Sequence, residues 1–302
     1  MTQPAPISRR LGVTLLLLVA TSFGGNHIAA RIAFDHGANV TTAVAVRSAG
    51  TAFMLWLLLS VNSVPFALPR PLLRRALAAG LVLAVQSYCL YSAVARIPVA
   101  LALLAFNIFP LMLSLISWAA GGERPSRATW LAMPVALAGL ALALDAGGWT
   151  GAGGAGFAGR WSEIGVGVCF ALAAAACFAT VLFLNEHWLK SVDGRLRTFL
   201  IMTVVAATMI AGGSAAGDFA FPADAPGWIG LALLTLLYGT AITSVFVLMP
   251  RLGAVNNAMV LNFEPIAALL LAWMILGQSV APLQIFGALV VVGAIVALGR
   301  AR

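Results

Sequence analysis

The chain has 302 residues, of which 62% are hydrophobic and only 9% charged, with a mean hydropathy of +1.03. Soluble domains carry about 25% charged residues, so a soluble fold is excluded. Lys and Arg number 17 against 9 Asp and Glu, a formal charge of +8; on a soluble protein that excess would point to nucleic acid, but here the basic residues fall mainly in short breaks between apolar runs, where they set membrane topology.

At about 20 apolar residues per crossing, ten candidate spans follow in order: 11–33, 40–62, 74–95, 98–119, 127–146, 162–185, 197–216, 226–249, 254–276 and 281–299. Arg9 and Arg10 before LGVTLLLLVA imitate a secretory leader, but the many similar runs that follow make this the first span of a polytopic protein. Span one carries Asn26 and His27 behind Gly24 and Gly25, and span two carries Arg47. Span three holds a polar and aromatic cluster, Gln86, Ser87, Tyr88, Tyr91 and Ser92, in which residues four apart share a helix face. Span eight offers Tyr238, Thr240, Thr243 and Ser244 at the corresponding place in the second half. Aromatic walls with a few polar groups suit an amphipathic solute; hydroxyl contacts between helices are the alternative. Cys89, Cys169 and Cys177 lie inside apolar runs and read as small core residues. The three histidines, His27, His36 and His187, are dispersed, so no metal site is expected, and no cofactor motif or phosphate-cradling loop is present.

Turn-rich stretches at 64–71, 121–126 and 221–227 punctuate the spans. Residues 146–161 hold seven glycines and read as a flexible extracytoplasmic linker. Ten spans place both termini on one side. With that side cytoplasmic, thirteen Lys and Arg fall inside, only Arg31, Arg96 and Arg160 fall outside, and Arg47 lies within a span. The tryptophans at 118, 130, 149, 161, 188 and 228 fall near span ends, as an interfacial belt requires.

A shift of 155 residues lays Asn107, Pro110, Trp118 and Gly122 on Asn262, Pro265, Trp273 and Gly277, with Glu123 meeting Gln278; it also pairs Phe23 with Phe178 and Arg96 with Arg251. The expected organisation is therefore all-α and integral to the membrane: a first five-helix repeat over 1–146, a Gly-rich linker over 147–161 and a second five-helix repeat over 162–302, with the odd span number inverting the second repeat. Pro110 and Pro265 mark helix breaks or hinges, because a proline removes one hydrogen bond and frees the carbonyl four residues back. Asn107 and Asn262 lie three residues before these prolines, beside the opened backbone. Glu264, at bilayer depth, costs about 3 kcal/mol on insertion scales; it forms an intramembrane pair with Arg47 or acts as a proton-coupling carboxylate. Phe109 occupies its position in the first half.

These residues resemble the drug/metabolite transporter superfamily, in its EamA-type branch of two five-helix repeats. LNFEPIAALLLAWMILGQSVAPLQIFGALVVVGAIVAL at 261–298 is similar to the last two helices of that repeat, and GGNHIAARIAF at 24–34 with AVRSAGTAFML at 45–55 to its first two. The resemblance implies export of small metabolites by alternating access, with the aromatic amino-acid exporters as the subgroup to name. One departure is Gln278, where the family commonly carries glutamate.

The reading is a secondary transporter exporting amino acids or similar amphipathic solutes through a central cavity lined by Asn26, Gln86, Tyr88, Tyr91, Asn107, Tyr238, Ser244, Asn262 and Glu264. It works in a bacterial-type inner (plasma) membrane, as a monomer, with lipid and a small-molecule substrate as partners and no nucleic acid. A multidrug or other metabolite permease is the near alternative. An intramembrane enzyme would need a convergent acid/base constellation from only nine acids, and a pore would need a charged ring.

Overall fold

A computed structural model of the chain describes residues 9–122, 124–125, 127–145, 156–252, 263–278 and 281–300. All regular structure among them is helical: α1 (Arg9–Asp35), α2 (Val40–Val61), α3 (Arg70–Arg96), α4 (Val99–Phe106), α5 (Phe109–Ala119), α6 (Arg127–Ala143), α7 (Gly156–Trp188), α8 (Gly194–Ala216), α9 (Ala225–Leu252), α10 (Glu264–Leu276) and α11 (Pro282–Arg300). Among the described residues seven stretches are long and apolar enough to cross a bilayer, and three shorter apolar helices, Trp130–Ala143, Glu264–Leu276 and Pro282–Ala294, accompany them.

Helix starts follow local chemistry. Pro71 sits in the first turn of α3, where its missing N–H costs nothing, so the helix begins four residues earlier than hydropathy suggests. The fourth span is not one helix: α4 stops at Phe106, Asn107 and Ile108 form a turn, and α5 opens with Pro110 in its first turn. The interruption therefore precedes the proline, because Pro110 has no N–H to offer the Phe106 carbonyl. Helix α7 starts at Gly156, inside the expected linker; the remainder of that linker, like Asn262 and Glu123, lies outside the described residues. The 155-residue shift carries Arg70, Phe109 and Arg127 onto Ala225, Glu264 and Pro282, the first residues of α9, α10 and α11.

The helices form two compact units, one of Met1–Ala84 with Asn185–Leu271 and one of Val85–Leu184 with Ala272–Arg302; their boundaries fall within α3, α7 and α10. Each unit takes helices from both halves of the sequence. In the first, α1 packs on α9, and α2 packs on α8 and α9. A Cβ on Gly230 would lie 2.8 Å from the Ala29 carbonyl oxygen and 2.9 Å from the Ala33 nitrogen, so α1 and α9 meet backbone to backbone. In the second unit α6 packs on α11 in the same way, at Gly139 and Gly287.

One end of the first unit is tied by polar loops. Asn39 Oδ1 accepts from the Thr42 N–H at 2.9 Å and caps α2, while its amide nitrogen donates to the Asp218 carbonyl and carboxylate at 2.9 and 3.0 Å; Thr41 donates to the same carboxylate at 2.7 Å. Gly217, at φ +63°, ends α8 in the left-handed conformation that favours glycine and positions Asp218 for these bonds. Asn39→Ala is expected to cost about 1–2 kcal/mol, for the lost cap and the stranded donors, read as a lower melting temperature in detergent.

Nearby, His36 Nδ1 and Asp224 Oδ2 are 2.7 Å apart. The hydrogen bond from His36, aided by the Gly227 N–H, holds the Asp224 carboxyl below the usual aspartate range. A lowered folded-state pKa stabilises above the ordinary value of about 3.9, and that contribution disappears as pH falls through the lowered value. The melting-temperature gap between wild type and Asp224→Asn is accordingly expected near neutral pH and should close in strong acid.

Candidate functional site

In the first unit the inner faces of α1, α2, α9 and α10 carry polar groups on otherwise apolar helices. Phe23 and His27 are four residues apart on α1 and share a face. His27 Nε2 lies 3.6 Å from Glu264 Oε1, with the histidine side chain 6% exposed and the glutamate 29%. Glu264 is the first residue of α10 and Pro265 the second. That placement resolves much of the cost of the pair: the proline occupies a turn where no donor is needed, and the carboxylate meets the positive end of the helix dipole.

A close helix crossing brings α10 to His27. A Cβ on Gly24 would lie 2.9 Å from the Ala268 nitrogen and 3.1 Å from the Glu264 carbonyl oxygen, so only glycine lets α1 approach the start of α10 this closely. One turn before His27, Phe23 meets Tyr238 of α9 edge to face, with centroids 5.9 Å apart. The Arg47 guanidinium of α2 lies 4.1 Å from the centroid of the same Tyr238 ring. Arg47 is only 3% exposed, and the face of an aromatic ring is one of the few apolar surfaces that stabilises a buried cation. The contacts Arg47–Tyr238–Phe23 and His27–Glu264 thus reach α1 one helical turn apart. Together they combine a cation, a carboxylate and two aromatic rings.

The family model for the EamA-like transporter family matches the chain twice, over residues 10–144 and 165–300. The chain belongs to the EamA-like transporter family. It is accordingly a multi-pass membrane protein of a family whose members move small solutes and are not enzymes. No curated protein matches it. Fifteen chains of solved structures do; one, described as "Crystal structure of protein", is 18% identical, covers 96% of this chain and 99% of its own, and superimposes with a TM-score of 0.67. At that identity the likeness speaks for the fold alone.

Within this EamA-like chain the sequence-derived candidates separate. Arg47, Tyr238 and Glu264 fall in the first unit, in the contacts above. Asn26 is there too and fully buried; its amide nitrogen donates to the Phe23 carbonyl. Ser244 is half-buried further along α9, past Thr243, whose buried hydroxyl has no hydrogen-bond partner among the described residues. Arg47 lies against Tyr238, and the carboxylate of Glu264 is beside His27.

Gln86, Tyr88, Tyr91, Asn107 and Pro110 belong to the second unit. Gln86 and Tyr91 are buried, Gln86 accepting from Ser87 at 3.3 Å, whereas Tyr88 is 38% exposed. Asn107 donates its amide to the Leu103 carbonyl at 2.8 Å, one turn back. Beside it Phe106, Phe109 and Phe178 form a ring cluster with centroids 4.9–5.5 Å apart. Gln278 accepts from the Val99 N–H at 3.2 Å and so caps α4, which gives the residue at this position a structural role. No group of three or more His, Cys, Asp or Glu side chains converges to hold a metal among the described residues.

Sequence reasoning did not place Phe23, Gly24 or His27 in the site. For Phe23 and His27, though not for Gly24, a signal was present in their i, i+4 spacing and in the 155-residue shift that pairs Phe23 with Phe178.

Proposed function

We propose that the chain exports small zwitterionic amphiphiles, amino acids or close analogues, by alternating access, with Arg47, Tyr238, Phe23, His27 and Glu264 forming its recognition surface. The observation that carries this reading is the charge pattern of the first unit. A buried guanidinium on Tyr238 suits a solute carboxylate, a carboxylate beside His27 suits a solute ammonium, and the two rings between them suit an apolar side chain. Intramembrane charges are expensive and are kept where they serve a pathway.

The reading includes ten membrane crossings as two inverted repeats, residues 1–146 and 162–302, with both termini cytoplasmic, supported by the loop charge bias. It also includes Gln86, Tyr88, Tyr91, Asn107, Ser244 and Asn262 as further cavity positions, Pro110 and Pro265 as hinges, a bacterial-type inner membrane as the location, and a monomer as the working form. Counterflow in proteoliposomes tests it. Preloaded unlabelled amino acid should accelerate entry of labelled amino acid, and entry should saturate; linear flux without trans-stimulation, across neutral and aromatic amino acids, overturns the proposal.

A further inference from the structure

On the second unit, the C-terminal part of α3 and the N-terminal part of α7 leave a groove of about 590 Å³ open to the surroundings, lined chiefly by Cys89, Trp161, Val166, Cys169, Phe170 and Ala173. Its lining is mostly apolar, and on a multi-pass membrane protein an apolar outer surface of this kind faces lipid. Val166 is 60% exposed and Trp161 40%. Trp161 sits at the end of the candidate span Trp161–Trp188, where an indole ring marks the level of lipid headgroups.

Arg96 is the last residue of α3. It is seven residues from Cys89 and therefore on the same helix face. Its guanidinium lies 4.8 Å from the centroid of the Phe170 ring, a wall of the groove, and it donates to the Ser92 carbonyl at 2.8 Å. No carboxylate among the described residues pairs with Arg96; the nearest acid in sequence on α7, Glu163, is not part of the groove lining. Arg96 is also one of only three basic residues on the side where the loop charges make them rare. A cation with no carboxylate partner among the described residues, held against an aromatic wall of an apolar groove, matches a ligand with an acidic head and a hydrocarbon tail.

We propose that this groove is a binding site for an anionic phospholipid, with one acyl chain along α7 from Trp161 to Ala173 and the phosphate on Arg96. Basic pockets between membrane helices recognise acidic headgroups in this way. The proposal rests on the membrane topology of that reading but uses none of its solute-contacting residues.

The test is native mass spectrometry of the purified full chain in detergent micelles doped with phosphatidylglycerol or phosphatidylcholine of matched acyl chains. Wild type should retain phosphatidylglycerol over phosphatidylcholine by about fivefold, the effect of one basic residue near the headgroups. Arg96→Gln should abolish that preference while Arg96→Lys keeps it, and Val166→Trp, which fills the groove without adding charge, should reduce retention of both lipids. Both positions are exposed, so the core is untouched. Equal retention of the two lipids by wild type, an unchanged preference in Arg96→Gln, or unchanged retention in Val166→Trp each overturns the proposal.

Discussion

Gly287→Ala is expected to destabilise the protein by about 2–3 kcal/mol, the upper part of the range for overpacked cores, although alanine is the better helix former. The added Cβ would lie 2.4 Å from the Ala143 nitrogen, 2.6 Å from the Gly139 carbonyl oxygen and 2.9 Å from the Ala143 Cα. All three are backbone atoms of α6, so no rotamer change relieves the clash and the two helices must separate. Separation costs the whole crossing, since packing between membrane helices rests on close van der Waals contact rather than on a hydrophobic drive.

Six residues along the same helix, Gly293 has nothing within 4 Å of a built Cβ, and there alanine should be neutral or stabilising by about 0.5–1 kcal/mol through helix propensity. Thermal unfolding of both variants in one detergent makes the comparison internal. Equal melting temperatures would mean that α6 and α11 do not cross at Gly287. The crossing also carries the mark of duplication: the 155-residue shift takes Gly139 to Ala294 and Ala132 to Gly287, and Ala132 and Ala294 belong to one buried cluster. Each copy of the helix thus supplies one glycine and one alanine to the same contact.

Hydropathy and turn residues were enough to locate most of the described helices, because each span has to satisfy its own backbone in lipid and is nearly independent of its neighbours. The expected spans 40–62 and 197–216 meet α2 (Val40–Val61) and α8 (Gly194–Ala216) within a few residues. Legibility ended where structure depends on more than one segment. Hydropathy averages over a window and so read 98–119 as one apolar run, whereas the missing N–H of Pro110 stops the hydrogen-bond ladder at Asn107. Glycine content made 147–161 look like a linker throughout, yet α7 begins at Gly156.

For the site, the individual charges stood out because charge is rare in such a chain, but their neighbours did not. His27 lies 237 positions before Glu264 in the chain, and what brings them within 3.6 Å is the absence of a side chain at Gly24, a detail with no periodic signature. Arg47 and Tyr238 likewise meet only because α2 packs on α9.

Transport by charge-altered variants should separate the two ends of the recognition surface. If Arg47 receives the solute carboxylate, Arg47→Lys keeps the charge but loses the planar fork that can hold a carboxylate through two bonds while stacked on Tyr238. The affinity for a neutral amino acid in counterflow should then fall by the value of a charged hydrogen bond, about 1.5–3 kcal/mol or roughly 10- to 150-fold. The same substitution should scarcely affect an amino-acid amide, which has no carboxylate to lose. Glu264→Gln should show the converse: a loss of similar size for the amino acid and little for the corresponding keto acid, which lacks the ammonium. Tyr238→Phe keeps both the Arg47 stack and the edge contact with Phe23 and should transport nearly as wild type, whereas Tyr238→Leu removes both. Groups that contact a shared ligand are coupled, so Arg47→Lys combined with Glu264→Gln should cost less than the product of the single losses. A carboxylate or an arginine that served only to hold helices together would lower stability and affect every solute alike. Uniform losses across amino acid, amide and keto acid would therefore remove Arg47 and Glu264 from the recognition surface, and with them the zwitterion as substrate, while leaving the chain a member of its transporter family.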